Sequence, residues 1–444
     1  MKKHSLTPRT VESVKTVALA VLVLASVLLS TLLWTGTPGR VAIDRPTFFS
    51  SPLYGRRQAA GDFVFPRSIG IWTSANELFR LGGTSATAGQ IITALRQSRF
   101  VSGALQKGTT GNSSAIPARG PYLVLNYGGL LQDGSLWSLA MPIQGHLPSV
   151  PVSGPVYVVP KPKTATCVIS FATVGGVYRA VLEHVPQLLF TDMTPNDQAI
   201  PYEQIPVNQT LLHLPYAGIM MQVDTWTLAE PISSHIIDSY FVDPSLIQNI
   251  RGPARSTFYT DGTRGVRVQD GPFGNVLTYQ APSGSLGGFN QSMAEALLTV
   301  VPFIDSHGGF VGSDVLQKMS VSPSSSEVNL QFSDMINGWP LFGSLDRITV
   351  RLQNGGVVRL NRNLPYLGME LSQVRQRILS GTQLVAVVGE KTLRQVTNIT
   401  LGYGTIASNQ LTVECVPVYR LEFRGRPSLY VDARTGKPFL GSGM

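Results

Sequence analysis

Charge is scarce in this chain: only 14% of its 444 residues are Asp, Glu, Lys or Arg, against about 25% in an average globular protein. With 44 Gly and 30 Pro, that composition points to many turns and short strands. Cysteine is scarcer still. Cys167 and Cys415 lie far apart, each inside an apolar, strand-like run. They either pair across domains or, the preferred reading, are small buried hydrophobes. Neither has a ligand-spaced Cys or His beside it. The six histidines form no i, i+4 pair with a nearby acid, so a zinc-binding helix is missing. Gly-x-Ser-x-Gly, Gly-x4-Gly-Lys-Ser/Thr and Ser-x-x-Lys are absent too. No catalytic, cofactor or metal residue is nominated. Basic runs are missing as well, since the 35 Lys and Arg behind the net charge of +9 are scattered. Nucleic-acid binding needs a clustered basic footprint and is set aside. A weakly cationic exterior facing an anionic membrane or wall fits better.

Long hydrophobic runs are absent with one exception. Residues 16–34, TVALAVLVLASVLLSTLLW, contain no charge, and nineteen helical residues at 1.5 Å each span a hydrocarbon core of about 30 Å. Lys2, Lys3, Arg9 and Lys15 precede the run, which places the N-terminus in the cytoplasm. The run ends at Trp34 without a small-x-small exit, so the expectation is an uncleaved signal anchor with everything from about residue 36 outside the membrane. Thr16 and Ala20 are four apart, as are Ser26 and Ser30. These small residues share a helix face that permits close approach of a second helix.

The remainder reads as α+β, with antiparallel sheets and a few helices. Expected domains are a membrane-proximal 40–150, a β-rich 155–285 and an α+β 286–444, the first break falling in the proline-rich 145–163. Amphipathic spacing predicts a helix over 87–100 and another beginning near Met293. Residues 371–379, LSQVRQRIL, also carry helical spacing, with Gly381 as C-cap, and 177–189 is a possible helix. Hairpins are expected at 122–141, at Asp261-Gly262 and at Asn354-Gly355. The order helix, strands, helix, strands in the last 160 residues suggests two related αβ units. DGTRGVRVQDG, from Asp261, fails as a calcium loop, because Thr263, Gly265 and Arg267 stand where oxygen ligands belong.

One long stretch, SYFVDPSLIQNIRGPARSTFYTDGTRGVRVQDGPFGNVLTYQAP at 239–282, resembles the YycH family of membrane-anchored regulators from Gram-positive bacteria. The Glu-Ser-x-Lys entry and Leu-Trp-Thr exit of the N-terminal segment, INGWPLFGSLDRITV, and LTVECVPVYRLEFRG are similar to further pieces of that family. LYVDARTG at 429–436 resembles the ending of PepSY-type modules. The resemblance implies no enzyme activity. It implies an extracytoplasmic accessory protein that acts with a YycI-like protein on a WalK (YycG) sensor histidine kinase, its transmembrane helix packing beside those of the kinase. Thr16, Ala20, Ser26 and Ser30 are the expected contact. The alternative expectation is a module whose cationic exterior binds a wall polymer or peptide.

Overall fold

The computed structural model describes residues 17–27, 53–107, 115–117, 120–145, 149–186, 198–207, 210–253, 255–282, 292–322, 327–343, 345, 347–409 and 411–441. The chain compacts as two separate units, Met1–Phe48 and Phe49–Met444. In the first, residues 17–27 form a helix, α1, exposed along its whole length. Among the described residues no helix is long and apolar enough to cross a membrane. Thr16 and 28–34, the rest of the expected span, lie outside those residues.

The second unit is built on three sheets. The first comprises β1 (Ser68–Trp72), β2 (Leu78–Gly82), β3 (Arg99–Lys107), β4 (Tyr122–Asn126), β5 (Val156–Lys161), β6 (Thr166–Thr173), β7 (Gly176–Glu183), β8 (Ile200–Val207) and β9 (Thr210–Pro215). Their spatial order is β3-β7-β6-β5-β4-β1-β2-β8-β9. Helix α2 (Ala86–Arg96) follows β2, as its spacing predicts, and buries Ile91, Ile92 and Leu95. Its N-cap Ser85 accepts a hydrogen bond from the Ala88 amide, a contact typically worth about 1 kcal/mol. A one-turn helix, α3 (Trp137–Ala140), precedes β5.

Three expectations change within this sheet. The 122–141 hairpin is a single strand, β4, whose neighbours are β1 and β5. The second apolar run, with Leu131, Leu136 and Trp137 wholly buried, plugs the core through turns and α3. Residues 177–189 are not helical over 177–183, which belong to β7; there Tyr178, Ala180 and Leu182 alternate into the core. The proline-rich stretch leads into β5, which is hydrogen-bonded to β4, so the expected domain break falls between neighbouring strands of one sheet.

The chain then alternates between two further sheets. β10 (Met220–Ala229) enters the second, and a short helix, α4 (Ser233–Ser239), follows. The third sheet begins with the meander β11 (Gln248–Gly252), β12 (Ser256–Thr260), β13 (Gly265–Asp270) and β14 (Asn275–Gln280). Helix α5 (Met293–Ser306) comes next, opened by a reciprocal Ser292–Glu295 capping box. After it run β15 (Val315–Ser322), β16 (Glu327–Ser333), β17 (Met335–Ile336), β18 (Trp339–Phe342), β19 (Ile348–Gln353), β20 (Gly356–Asn363) and β21 (Tyr366–Arg377). Helices α6 (Gly381–Val388) and α7 (Glu390–Leu393) lead into β22 (Val396–Ala407), β23 (Thr412–Phe423) and β24 (Arg426–Asp432). The second sheet runs β17-β18-β22-β23-β10-β21, with β24 beside β23; the third runs β11-β12-β13-β14-β20-β19-β16-β15. Of the two helix-then-strands segments of the last 160 residues, the first thus feeds both sheets and the second only the second sheet.

The Asp261-Gly262 and Asn354-Gly355 turns connect β12 to β13 and β19 to β20 as expected. Asp261 Oδ1 accepts from the amides of Thr263 and Arg264 at 2.8 Å each. That fixes a loop in which Gly262 sits at φ +87°, so the FYTDGTRGVRV stretch is architecture. The expected helix at 371–379 is an edge strand, β21, paired with β10. Its Leu371 and Val374 are exposed rather than packed, and Gly381 opens α6 instead of closing a helix. Ser380 is the actual cap, accepting from the Gln383 amide.

Candidate functional site

Of the four residues expected to contact a partner helix, Ala20 and Ser26 lie on α1, and both are exposed. Thr16 and Ser30 fall outside the described residues. Val17, Leu19, Leu22 and Leu24 are each more than half exposed around them. A helix apolar on every side has no stable place in water, so this surface calls for lipid or another helix.

In the folded unit a groove of about 510 Å³ crosses the face of the first sheet that points away from Ile69, Ile71, Leu123 and Leu125. Trp72 and Tyr122, paired across β1 and β4, stack with centroids 5.7 Å apart, and Tyr157 meets Tyr122 edge-on at 6.1 Å. His213 closes one end against Trp72 and lies 3.2 Å from the Gln204 amide nitrogen. Burial, then the nearby Arg80 charge, pushes the imidazole down to about 4, so it is neutral at physiological pH. No Asp or Glu lines the groove among the described residues. It can accept an uncharged ring or an apolar group, and it offers no nucleophile with a base beside it.

A group of ionisable side chains is instead buried where α5 ends against the third sheet. His307 caps the helix, its Nδ1 2.5 Å from the Phe303 carbonyl, with its ring between Tyr240 and Phe303 at 4.2 Å from each. Burial pushes it to about 4 despite the Phe303 hydrogen bond. Arg362 from β20 is 2% exposed and donates to the His307 carbonyl. Asp314, near enough to feel its charge, and Asp334 beside Asp314 are both buried. Asp334 accepts from the Ser313 and Met335 amides at 2.7 Å each. Neither Asp314 oxygen has a well-formed hydrogen bond, with the Gly312 amide giving only a weak pull. Burial, and then the Asp334 charge, raises Asp314 to about 8; burial raises Asp334 to about 6. Both carboxyls therefore hold their protons more tightly than exposed carboxylates do. The group is a buried, titratable joint.

INGW, part of the stretch carrying the family resemblance, turns out to be a hairpin. Asn337 and Gly338 adopt φ +51° and +84° between β17 and β18, as a two-residue primed turn requires. Asn337 donates to the buried Asp224 at 2.7 Å. Gly338 abuts Ser85 and Gly82 so closely that an added Cβ would lie 2.9 Å from the Ser85 amide nitrogen. The turn therefore locks the second sheet onto the first at the start of α2. Asn-Gly between apolar residues was the signal available in the sequence. Cys167 and Cys415 are both unpaired and buried, as the preferred reading has it, and burial pushes the Cys167 thiol up to about 12.

These features define a sheet-rich α+β protein with an apolar N-terminal helix and a folded unit stabilised by buried polar joints. Residues 212–430, which span the second and third sheets, match the family described as "YycH protein, C-terminal domain". Residues 212–430 belong to the YycH family. The crystal structure of YycH from Bacillus subtilis matches at a TM-score of 0.66 and 13% identity, over 86% of this chain and 99% of that one, and shows the shared fold. A crystal structure of an uncharacterised protein from Eubacterium rectale overlaps 56% of this chain and 94% of its own, at 10% identity and a TM-score of 0.35. A comparison with curated protein sequences returns no match.

Proposed function

We propose that the chain is a non-enzymatic regulator of a WalK-type sensor histidine kinase, held at the membrane by residues 16–34. A YycI-like protein is its partner, and its folded unit lies outside the cytoplasm. Membership of the YycH family carries this reading, since it supports a regulatory role in the YycG/WalK pathway. The all-apolar, exposed α1 adds to it. A single helix biases a two-state kinase only by binding one state better than the other, and a tenfold bias in output needs about 1.4 kcal/mol of differential contact. The face bearing Thr16, Ala20, Ser26 and Ser30 supplies small residues for such a contact.

The test is to exchange residues 16–34 for an unrelated span of equal length and read a kinase-dependent reporter in cells. Regulation should be lost while the protein stays membrane-bound, and an anchor-only fragment of about residues 1–40 should retain part of the effect. Unchanged regulation after the exchange overturns the proposal.

A further inference from the structure

The third sheet has two unlike faces. Tyr279, Leu360, Val350 and Leu330 point into the core shared with α5. On the opposite face, Arg267, Thr278, Asn361, Thr349, Gln331 and Lys318 are paired strand to strand in one continuous row from β13 to β15. The row beside it holds Gln280, Arg359, Arg351, Asn329 and Ser320 in the same manner. A cleft of about 360 Å³ lies over the β15–β20 part of the two rows. The rows contain four cations and no acid. Arg351 and Arg359 stand directly opposite each other, a like-charge pairing that costs stability unless an anion is near. Glu327 satisfies Arg351 from the strand end. Among the described residues, Arg359 and Lys318 have no ion-pair partner.

We propose that this face binds a hydroxyl-rich polyanion in which phosphodiester groups are linked by polyol or sugar units. The proposal rests on the extracytoplasmic placement of the folded unit put forward above. Charge complementarity sets the sign of the ligand. Its length follows from the strands: Arg267 and Lys318 are five strand spacings apart, about 24 Å at roughly 4.8 Å each, too far for one small anion to bridge. Asn, Gln, Thr and Ser side chains between the cations both donate and accept, which suits hydroxyl groups. An acidic peptide fits less well over β13–β15, because peptide affinity concentrates in apolar anchors and the nearest exposed ones in line with the row, Phe258 and Ile250, lie beyond it on β12 and β11.

The test uses the full chain in neutral detergent, titrated with a purified glycerol-phosphate polymer at physiological salt. Polyglutamate and an uncharged glycan serve as comparators. Binding should be saturable, and log affinity should fall with log salt with a slope of about −2 to −3, as expected for three or four phosphate contacts. The double variant Arg359→Gln/Lys318→Gln should bind at least tenfold more weakly while unfolding at no lower temperature than the parent, since it relieves the Arg351–Arg359 repulsion. Arg424→Gln/Arg426→Gln, which removes the same charge from the β23–β24 turn of the second sheet, should bind as the parent does. Absent binding, equal loss in both double variants, or equal affinity for polyglutamate overturns the proposal. The assay contains no kinase, so its failure leaves the regulatory reading standing, and the converse holds for the anchor exchange.

Discussion

Asp314→Asn should stabilise the folded unit far more at pH 8 than at pH 5. In the fold Asp314 holds its proton up to about 8 and Asp334 up to about 6; in the unfolded chain both release it near 4. Between these limits the unfolded chain binds fewer protons than the folded one, so stability falls as pH rises. It is fully present below about pH 4. The loss through Asp314 is complete only above about 8. One pH unit across a fully differential site is worth about 1.4 kcal/mol, which bounds the Asp314 contribution at roughly 5 kcal/mol by pH 8. Interaction with Asp334, and the attraction of Arg362, reduce what mutation recovers to on the order of 2–4 kcal/mol. Asparagine reproduces the neutral form at every pH. Denaturant unfolding of parent and variant between pH 5 and 8.5 checks this, and the variant should show the flatter profile. Parallel profiles, or a variant weakened equally at both ends, would refute a raised Asp314.

Other outcomes follow from single contacts. Ser292→Ala removes the reciprocal cap of α5 and should lower stability by about 1 kcal/mol in denaturant titration, with Ser292→Asp recovering most of it. Gly338→Ala combines a φ of +84° with a Cβ 2.9 Å from the Ser85 amide nitrogen; it should cost at least ~2 kcal/mol. Gly262→Ala has a similar φ of +87° and open space around it, so it should cost only about 1 kcal/mol. Cys167 and Cys415 are buried with raised thiols and should stay unreactive to an aromatic disulfide reagent until the protein is unfolded.

Where local chemistry and tertiary environment agree, the fold was readable from residues. Asp-Gly and Asn-Gly set their turns through backbone angles that few other residues adopt, and Ile91, Ile92 and Leu95 marked α2 because its apolar stripe is the face that is buried. Leu371, Val374 and Ile378 misled for the opposite reason. Their helical spacing carries no core information, since Leu371 and Val374 are exposed on an edge strand held by β10. The true helix signal, the Ser380–Gln383 capping box, stood immediately beyond them. Residues 177–183 resisted reading because β7 has neighbours on both sides and only Arg179 is left exposed, which blurs a period of two. The buried Asp314, Asp334, His307 and Arg362 group was illegible. Its members come from separate segments, and each looks like an ordinary surface residue until the sheet and α5 enclose it.

The central claim is that the N-terminal helix meets a kinase helix. Single cysteines placed at 18–34 in the full chain, with the buried Cys167 and Cys415 left in place, test it by crosslinking in intact membranes. Adducts with the kinase should peak at Ala20, Ser26 and Ser30, which share one helix face. Crosslinks that are absent, or equal at every position around the helix, would contradict it.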